Sequence, residues 1–264
     1  MQSMDTHDGQ SGKEQSEGDS IRGDLSSPDP NCDLQAFELF EKMRNSEGEK
    51  IYWRMEGLRA IYYVFSQNYA ELSSAIAHFE ADESFPRYWH VQQRHNMRAF
   101  QQENMRLLHN VVAAAFSLVD QTRILVREIY GEEPFQNEYQ RKVDEVFSNS
   151  EIAGLVKGLR NWMLHRGLVP VDMQATLDAT GKFAASIVLN INELRSWDRW
   201  DPRARHFLET APDPLRLRDV VDGYYELVKQ LYDWLASRMA QIHASAFDEW
   251  ASWNREYRKL RPDE

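Results

Sequence analysis

A single cysteine, Cys32, in 264 residues excludes an intrachain disulfide and any cysteine-rich metal site. No stretch approaches about 18 consecutive uncharged apolar residues, so no transmembrane helix is expected. The first 30 residues lack the basic start and apolar run of a signal peptide. The expectation is a soluble, cytoplasmic protein. Positive charge is also in deficit: 31 Lys and Arg against 42 Asp and Glu leave a net charge of −11. A general nucleic-acid-coating protein is usually basic, so that class is disfavoured, while a local phosphate site is not. Glycine is scarce, with 12 in all and four of them in the first 30 residues, which leaves the rest poor in helix breakers.

Residues 1–30 hold seven acidic and two basic residues, six Ser, and only Met1, Met4, Ile21 and Leu25 as larger apolar side chains. Such a segment cannot offset its ordering entropy by burial, so it reads as a disordered acidic tail. Residues 31–264 read as a single helical domain, since roughly 100–200 residues make a domain. Apolar residues recur there at spacings of three and four. Leu34, Phe37 and Phe40 open a short amphipathic segment, and the aromatic-rich stretch Ile51 to Phe79 follows, broken at Ser84-Phe85-Pro86. A long helix is predicted from about Tyr88 to Tyr130, ended by Gly131 and Pro134. Helices over 136–147 and 151–165 are separated by Ser148-Asn149-Ser150, and Gly167 and Pro170 stop the second.

Asp172 to Leu194 keeps the helical period through Met173, Leu177, Ala184, Ile187, Ile191 and Leu194. Arg195 to Pro214 reads as irregular. Asp213-Pro214 fits an N-cap with proline at N1, opening a last helix through Val220, Tyr224, Leu231, Leu235 and Ile242 that extends toward Trp250 and Tyr257. No alternating runs bounded by turns compete, and there is neither an internal repeat nor a Gly-rich phosphate loop. The predicted fold is all-α, an up-and-down helical bundle of about six or seven helices.

Chemistry concentrates in Gly158-Leu159-Arg160-Asn161-Trp162-Met163-Leu164-His165-Arg166-Gly167. Asn161 and His165 are one turn apart and share a face, whereas Arg160 and His165 lie about 140° apart around the axis. Cations at a helix C-terminus also meet the negative end of the helix dipole. An imidazole moves protons near neutral pH, and a guanidinium holds a phosphate through two donors while offsetting charge on its oxygens. With no carboxylate nucleophile or metal cluster, this set suits RNA cleavage by the RNA's own 2′-hydroxyl. One histidine is thin equipment for that reaction, and a dimer would supply an acid and a base. The plainer reading is that His165 caps the helix and Arg160 pairs with a carboxylate.

Arg160-Asn161-Trp162-Met163-Leu164-His165 resembles the Arg-x4-His motif of the HEPN superfamily, and the polar Asn after the Arg is a form frequent there. The upstream segment from Arg106 to Arg123 resembles the long helix that precedes the motif helix, so the likeness covers about residues 90–240. The resemblance implies a HEPN-like bundle and a metal-independent endoribonuclease with no cofactor, acting in toxin–antitoxin, phage-defence or RNA-processing systems. It implies a homodimer whose two motifs face one cleft, an RNA substrate and a cognate protein inhibitor. Arg160 would bind the scissile phosphate, His165 act as acid or base, Asn161 position it, and Asp120 supply the acidic residue of the preceding helix. Arg166 and Arg123 would contact substrate. Inactive HEPN relatives serve instead as helical binding modules, which is the alternative function.

Other features carry two readings each. His109, Ala113, Phe116, Asp120, Arg123 and Arg127 make one helix face, where Asp120 and Arg123 either line a cleft or merely pair at i,i+3. Gly154 and Gly158 admit close approach by a symmetry mate or by a helix of the same chain. Arg195, Arg199, Arg203, Arg205 and His206 with Trp197 and Trp200 could stack single-stranded RNA, or form a solvated loop anchored by its tryptophans. His78, Glu80, His90 and His95 do not make a zinc motif.

Overall fold

The computed structural model describes residues 30–81, 94–131, 134–177 and 183–262. The predicted disordered tail, the break at Ser84-Phe85-Pro86 and the first residues of the long helix lie outside these. Nine helices and three strands occur among the described residues, in the order α1 (Pro30–Asn45), α2 (Glu47–Glu80), α3 (Arg94–Tyr130), α4 (Pro134–Phe147), α5 (Glu151–His165), β1 (Val171–Leu177), β2 (Phe183–Leu189), α6 (Ile191–Arg195), α7 (Pro202–Thr210), β3 (Leu215–Arg216), α8 (Leu217–Ile242) and α9 (Ala244–Leu260).

The long helices form the frame. On α2 the buried side chains include Ile51, Met55, Leu58, Phe65, Leu72, Ile76 and Phe79, and on α3 Leu108, Val111, Ala115, Leu118, Thr122 and Val126. Steps of three, four and seven keep each stripe on one side of its helix. The two run antiparallel: Phe79 stacks on Phe100 at 5.3 Å, and Tyr62 of α2 and Thr122 of α3 both meet Tyr232 of α8. Phe65, Leu72 and Ile76 are wholly buried, each contributing about 1.5–3 kcal/mol of transfer free energy. Ser46 caps α2 by accepting from Glu49 N at 3.1 Å.

The all-α, six- or seven-helix bundle is corrected by the sheet. Residues predicted as a helix over Asp172–Leu194 form the antiparallel hairpin β1–β2, in register from Val171 opposite Leu189 to Leu177 opposite Phe183. β3 adds to the other edge of β2, with Leu215 opposite Leu189. Val171, Ile187 and Leu189 are buried against the helices, and Gln101 of α3 donates to the Val171 carbonyl at 2.6 Å. Spacings of three, four and seven from Met173 to Leu194 imitate a helix, but Ile187, Val188 and Leu189 are a continuous buried run, and its β-branched Ile and Val suit a strand packed beside α2 and α3.

Two further expectations change. Ile191–Arg195 is helical as predicted, as α6, but Arg195–Pro214 is not irregular throughout: it holds α7, with Asp201 accepting from Arg203 N and Ala204 N and Pro202 opening the helix. Asp213-Pro214 precedes β3 instead of capping α8, whose N-cap is Arg216 without a side-chain bond. The C-terminal helix is divided at His243 into α8 and α9.

Candidate functional site

The motif lies on α5, and the helix is fixed from one side. Ser150 caps it by accepting from Ala153 N at 3.2 Å. Leu155, Val156, Gly158, Leu159 and Trp162 are buried. Gly158 is where the ring of Trp200 crosses the helix: a Cβ there would come within 2.5 Å of Trp200 Cε3. Trp162, Trp197 and Trp200 form one aromatic cluster, with Trp197 edge-on to Trp200 at 5.0 Å and to Trp162 at 5.5 Å. Trp200 Nε1 donates to the Leu194 carbonyl at 2.7 Å and Trp162 Nε1 to that of Leu168 at 3.2 Å. The helix ends at Gly167, with φ of 134°, a left-handed conformation open to glycine.

These contacts decide two of the open readings. The close approach at Gly158 is to α7 and its preceding turn within the same chain, not to a symmetry mate. The Arg/Trp zone is structural: both tryptophans are buried, Arg195 donates to the Leu208 carbonyl at 2.7 Å, Arg205 to that of Asp198 at 2.6 Å, and Arg203 to that of Ser148.

The other side of α5 faces α3. Arg160 Nη2 is 3.8 Å from Asp120 Oδ2, and its Cζ lies 4.4 Å from the Phe116 ring centroid. Asp120 also has Arg123 Nη1 at 3.8 Å. Two guanidiniums thus share one carboxylate at distances too long for tight charge-assisted hydrogen bonds, and the Phe116 face holds Arg160 by cation–π attraction. The predicted set Arg160, Asp120 and Arg123 is brought together. Asn161 and His165 are exposed on the same helix and make no hydrogen bond among the described residues. Arg166 is turned elsewhere, its Cζ 5.0 Å above Trp162. His109 and Arg127 are exposed on α3, away from any contact with the motif.

Lys157 was missed by motif reasoning, yet helical spacing marks it: it is one turn before Arg160 and Asn161. It is exposed and forms no ion pair among the described residues. Arg123 and Arg160 share Asp120, while Lys157 lines an adjoining cavity with Arg123, Arg203, Asp144 and Asp201. This patch is locally positive on a chain of net charge −11, which is the electrostatics of an anion site.

No group of three or more metal-ligating side chains gathers among the described residues, and no helix there is long and apolar enough to cross a membrane. Neither a family model, a curated protein nor a solved structure matches this chain. The HEPN resemblance therefore rests on the motif and its setting alone.

Proposed function

We propose that the α3–α5 face is a metal-independent RNA-cleavage site of HEPN type, completed when two copies of the chain bring their motif helices together. The observation that carries this reading is Arg160 suspended between Asp120 and the Phe116 ring, with Asn161 exposed beside it and His165 exposed one turn on. Arg160 is oriented but not saturated, so a phosphate can take its free donors. In the reaction the RNA 2′-oxygen bonds to the adjacent phosphorus and the bond from phosphorus to the 5′-oxygen breaks. One histidine takes the 2′-hydroxyl proton and the other protonates the departing 5′-oxygen. Arg160 offsets charge on the non-bridging oxygens. Arg123 and Lys157 steer the flanking backbone, Asn161 orients its neighbours, and Arg166 extends the contact past the helix end.

The test is cleavage of a mixed cellular RNA pool in EDTA. Products should end in 2′,3′-cyclic phosphate and 5′-hydroxyl, a 2′-deoxyribose at the scissile position should stop the reaction, and His165→Ala should slow it about 10²–10⁴-fold. Equal cleavage by wild type and H165A, or activity that needs added magnesium, rejects the mechanism.

A second reading, a non-catalytic helical interaction module, is favoured by one feature. His165 has no orienting hydrogen bond, and Leu164 beside it is 68% exposed, as suits a surface that a partner protein covers. On either reading a homodimer partner or an inhibitor would cover Leu164. A monomer by light scattering at micromolar concentration, together with no cleavage by wild type, would leave only the interaction module with another protein.

A further inference from the structure

Beside the motif face, α3, α4, α5 and α8 surround a cavity of about 280 Å³ that opens between the α5 N-terminal half and the start of α7. Phe116, Val119, Val143, Phe147 and Leu231 give it an apolar wall. Three tyrosines of distant sequence position, Tyr139, Tyr224 and Tyr232, converge on it. The Tyr232 hydroxyl is used: it bonds Thr122 Oγ1 and donates to the Leu118 carbonyl at 3.3 Å.

Tyr139 and Tyr224 are different. Their side chains are 6% and 5% exposed, and neither hydroxyl has a hydrogen-bond partner among the described residues. Neither oxygen is among the fully sealed, unpartnered polar atoms of the described residues, and both residues line the cavity. Buried hydroxyls are normally paired, and among the described residues no group pairs these two. Burial pushes the Tyr224 hydroxyl up to about 12 and raises that of Tyr139, so both stay protonated donors at neutral pH.

The mouth has the opposite character. Arg123, Lys157 and Arg203 line it with Asp144 and Asp201. Asp201 caps α7 and Asp144 accepts from Gln140 at 2.9 Å, both neutral donors, so the acids keep their charge and three cations stand against two anions. Arg203 holds the Ser148 carbonyl. Lys157 has no partner among the described residues, and Arg123 has only the long contact to Asp120.

We propose that this cavity binds a small aromatic carboxylate with a hydrogen-bonding oxygen at its far end. Two fused rings suit the volume, which is near the lower end for small-molecule pockets, and planar faces suit the Phe116 and Phe147 walls. The far oxygen takes the Tyr139 and Tyr224 hydroxyls, and the carboxylate lies between Lys157 and Arg123. Arg123 and Phe116 also belong to the motif face, so the ligand competes with Asp120 for Arg123 and links cavity occupancy to the setting of Arg160.

Calorimetric titration with 6-hydroxy-2-naphthoate tests this without RNA, so its result is independent of whether the motif cleaves anything. Micromolar binding is expected, with 2,6-dihydroxynaphthalene, which lacks the carboxylate, weaker by about tenfold. Lys157→Gln, an exposed change, should weaken the naphthoate about tenfold and leave the neutral compound unaffected. Tyr224→Phe should weaken 6-hydroxy-2-naphthoate about five- to tenfold and 2-naphthoate not at all. Val143→Trp should abolish binding by filling the cavity. Near-UV circular dichroism checks that each variant folds, and if V143W does not, K157Q and Y224F decide alone. No heat at millimolar naphthoate overturns the proposal. So does equal affinity for the neutral compound, or affinity unchanged in both K157Q and Y224F.

Discussion

One side of α5 puts Leu155, Gly158, Leu159 and Trp162 under the Trp197–Trp200 pair, where a ring crosses the helix at Gly158. The other side puts Lys157, Asn161, Leu164 and His165 into solvent, with Arg160 tethered at 3.8 Å and over an aromatic face. Fifteen residues thus carry two kinds of fit. The buried side leaves no room for change, and by close packing it sets the rotation of the helix about its axis. That rotation alone aims Arg160 at Asp120. The open side is loosely held. The motif is therefore positioned by buried residues on the opposite side of its own helix.

The largest expected effect breaks the buried side. Trp200→Ala should cost about 3–5 kcal/mol, the range for deleting a large core aromatic, and urea denaturation would measure it. His165→Ala, which removes no contact, should leave the urea midpoint unchanged. A comparable loss from both would mean that the two faces are not distinct.

Gly158→Ala comes next. The added methyl meets the Trp200 ring and the side chain of Ala204, and overpacking of this kind costs about 1–3 kcal/mol. Alanine's better helix propensity offsets roughly 1 kcal/mol at most. The more telling readout is rotation of α5: if the cleavage reading holds, G158A should lose activity beyond its loss of folded protein, since Arg160 moves relative to Asp120.

Much of this contrast is legible along the chain. The periodic stripes of α2, α3 and α8 stand out because each helix is long enough for its 3.6-residue repeat to be sampled many times. Arg160, Asp120 and Arg123 are legible through residue type and through the face on which Asp120 and Arg123 lie. The hairpin is not legible. Met173, Leu177, Ala184, Ile187 and Leu194 are spaced as on a helix, and only a partner sheet edge makes the alternate reading better. The Asp-Pro pairs at 201–202 and 213–214 make the same point. At 201–202 the pair caps and opens α7, whereas at 213–214 it leads into β3 because Leu189 offers a strand edge to Leu215. Local capping chemistry is equal in both, and tertiary pairing decides. The cavity is not legible either, because nothing in the sequence brings Tyr139, Tyr224 and Tyr232 together.

A smaller effect tests the open side. Arg160→Ala removes an exposed, long ion pair and a cation–π contact, so its stability cost should stay near or below about 1 kcal/mol. If the cleavage reading holds, phosphate stabilisation depends on the same side chain, so RNA cleavage should fall far more than the folded fraction does. Thermal unfolding beside a cleavage assay separates the two. A stability loss as large as that of W200A would place Arg160 among the structural residues and would favour the interaction-module reading.

The smallest effect concerns His243, a histidine placed as His165 is not. It sits at the break between α8 and α9, 3.0 Å from the Tyr130 hydroxyl and beside Phe247. Burial holds its imidazole below the ordinary histidine range, with Glu47 acting weakly in the other direction. The folded protein therefore takes up this proton less readily than the unfolded chain, whose histidine titrates near 6.5. Above that pH the site's contribution is complete, and as pH falls toward the lowered folded value the unfolded state gains the proton first and stability declines. Between about pH 7.5 and 5.5 the share of the decline in Tm owed to His243 should be smaller than the effect of any destabilising substitution above. His243→Phe keeps a ring in the gap and removes the titration, so its Tm should fall less over the same interval. Parallel declines in wild type and H243F would show that burial at this junction does not govern the proton.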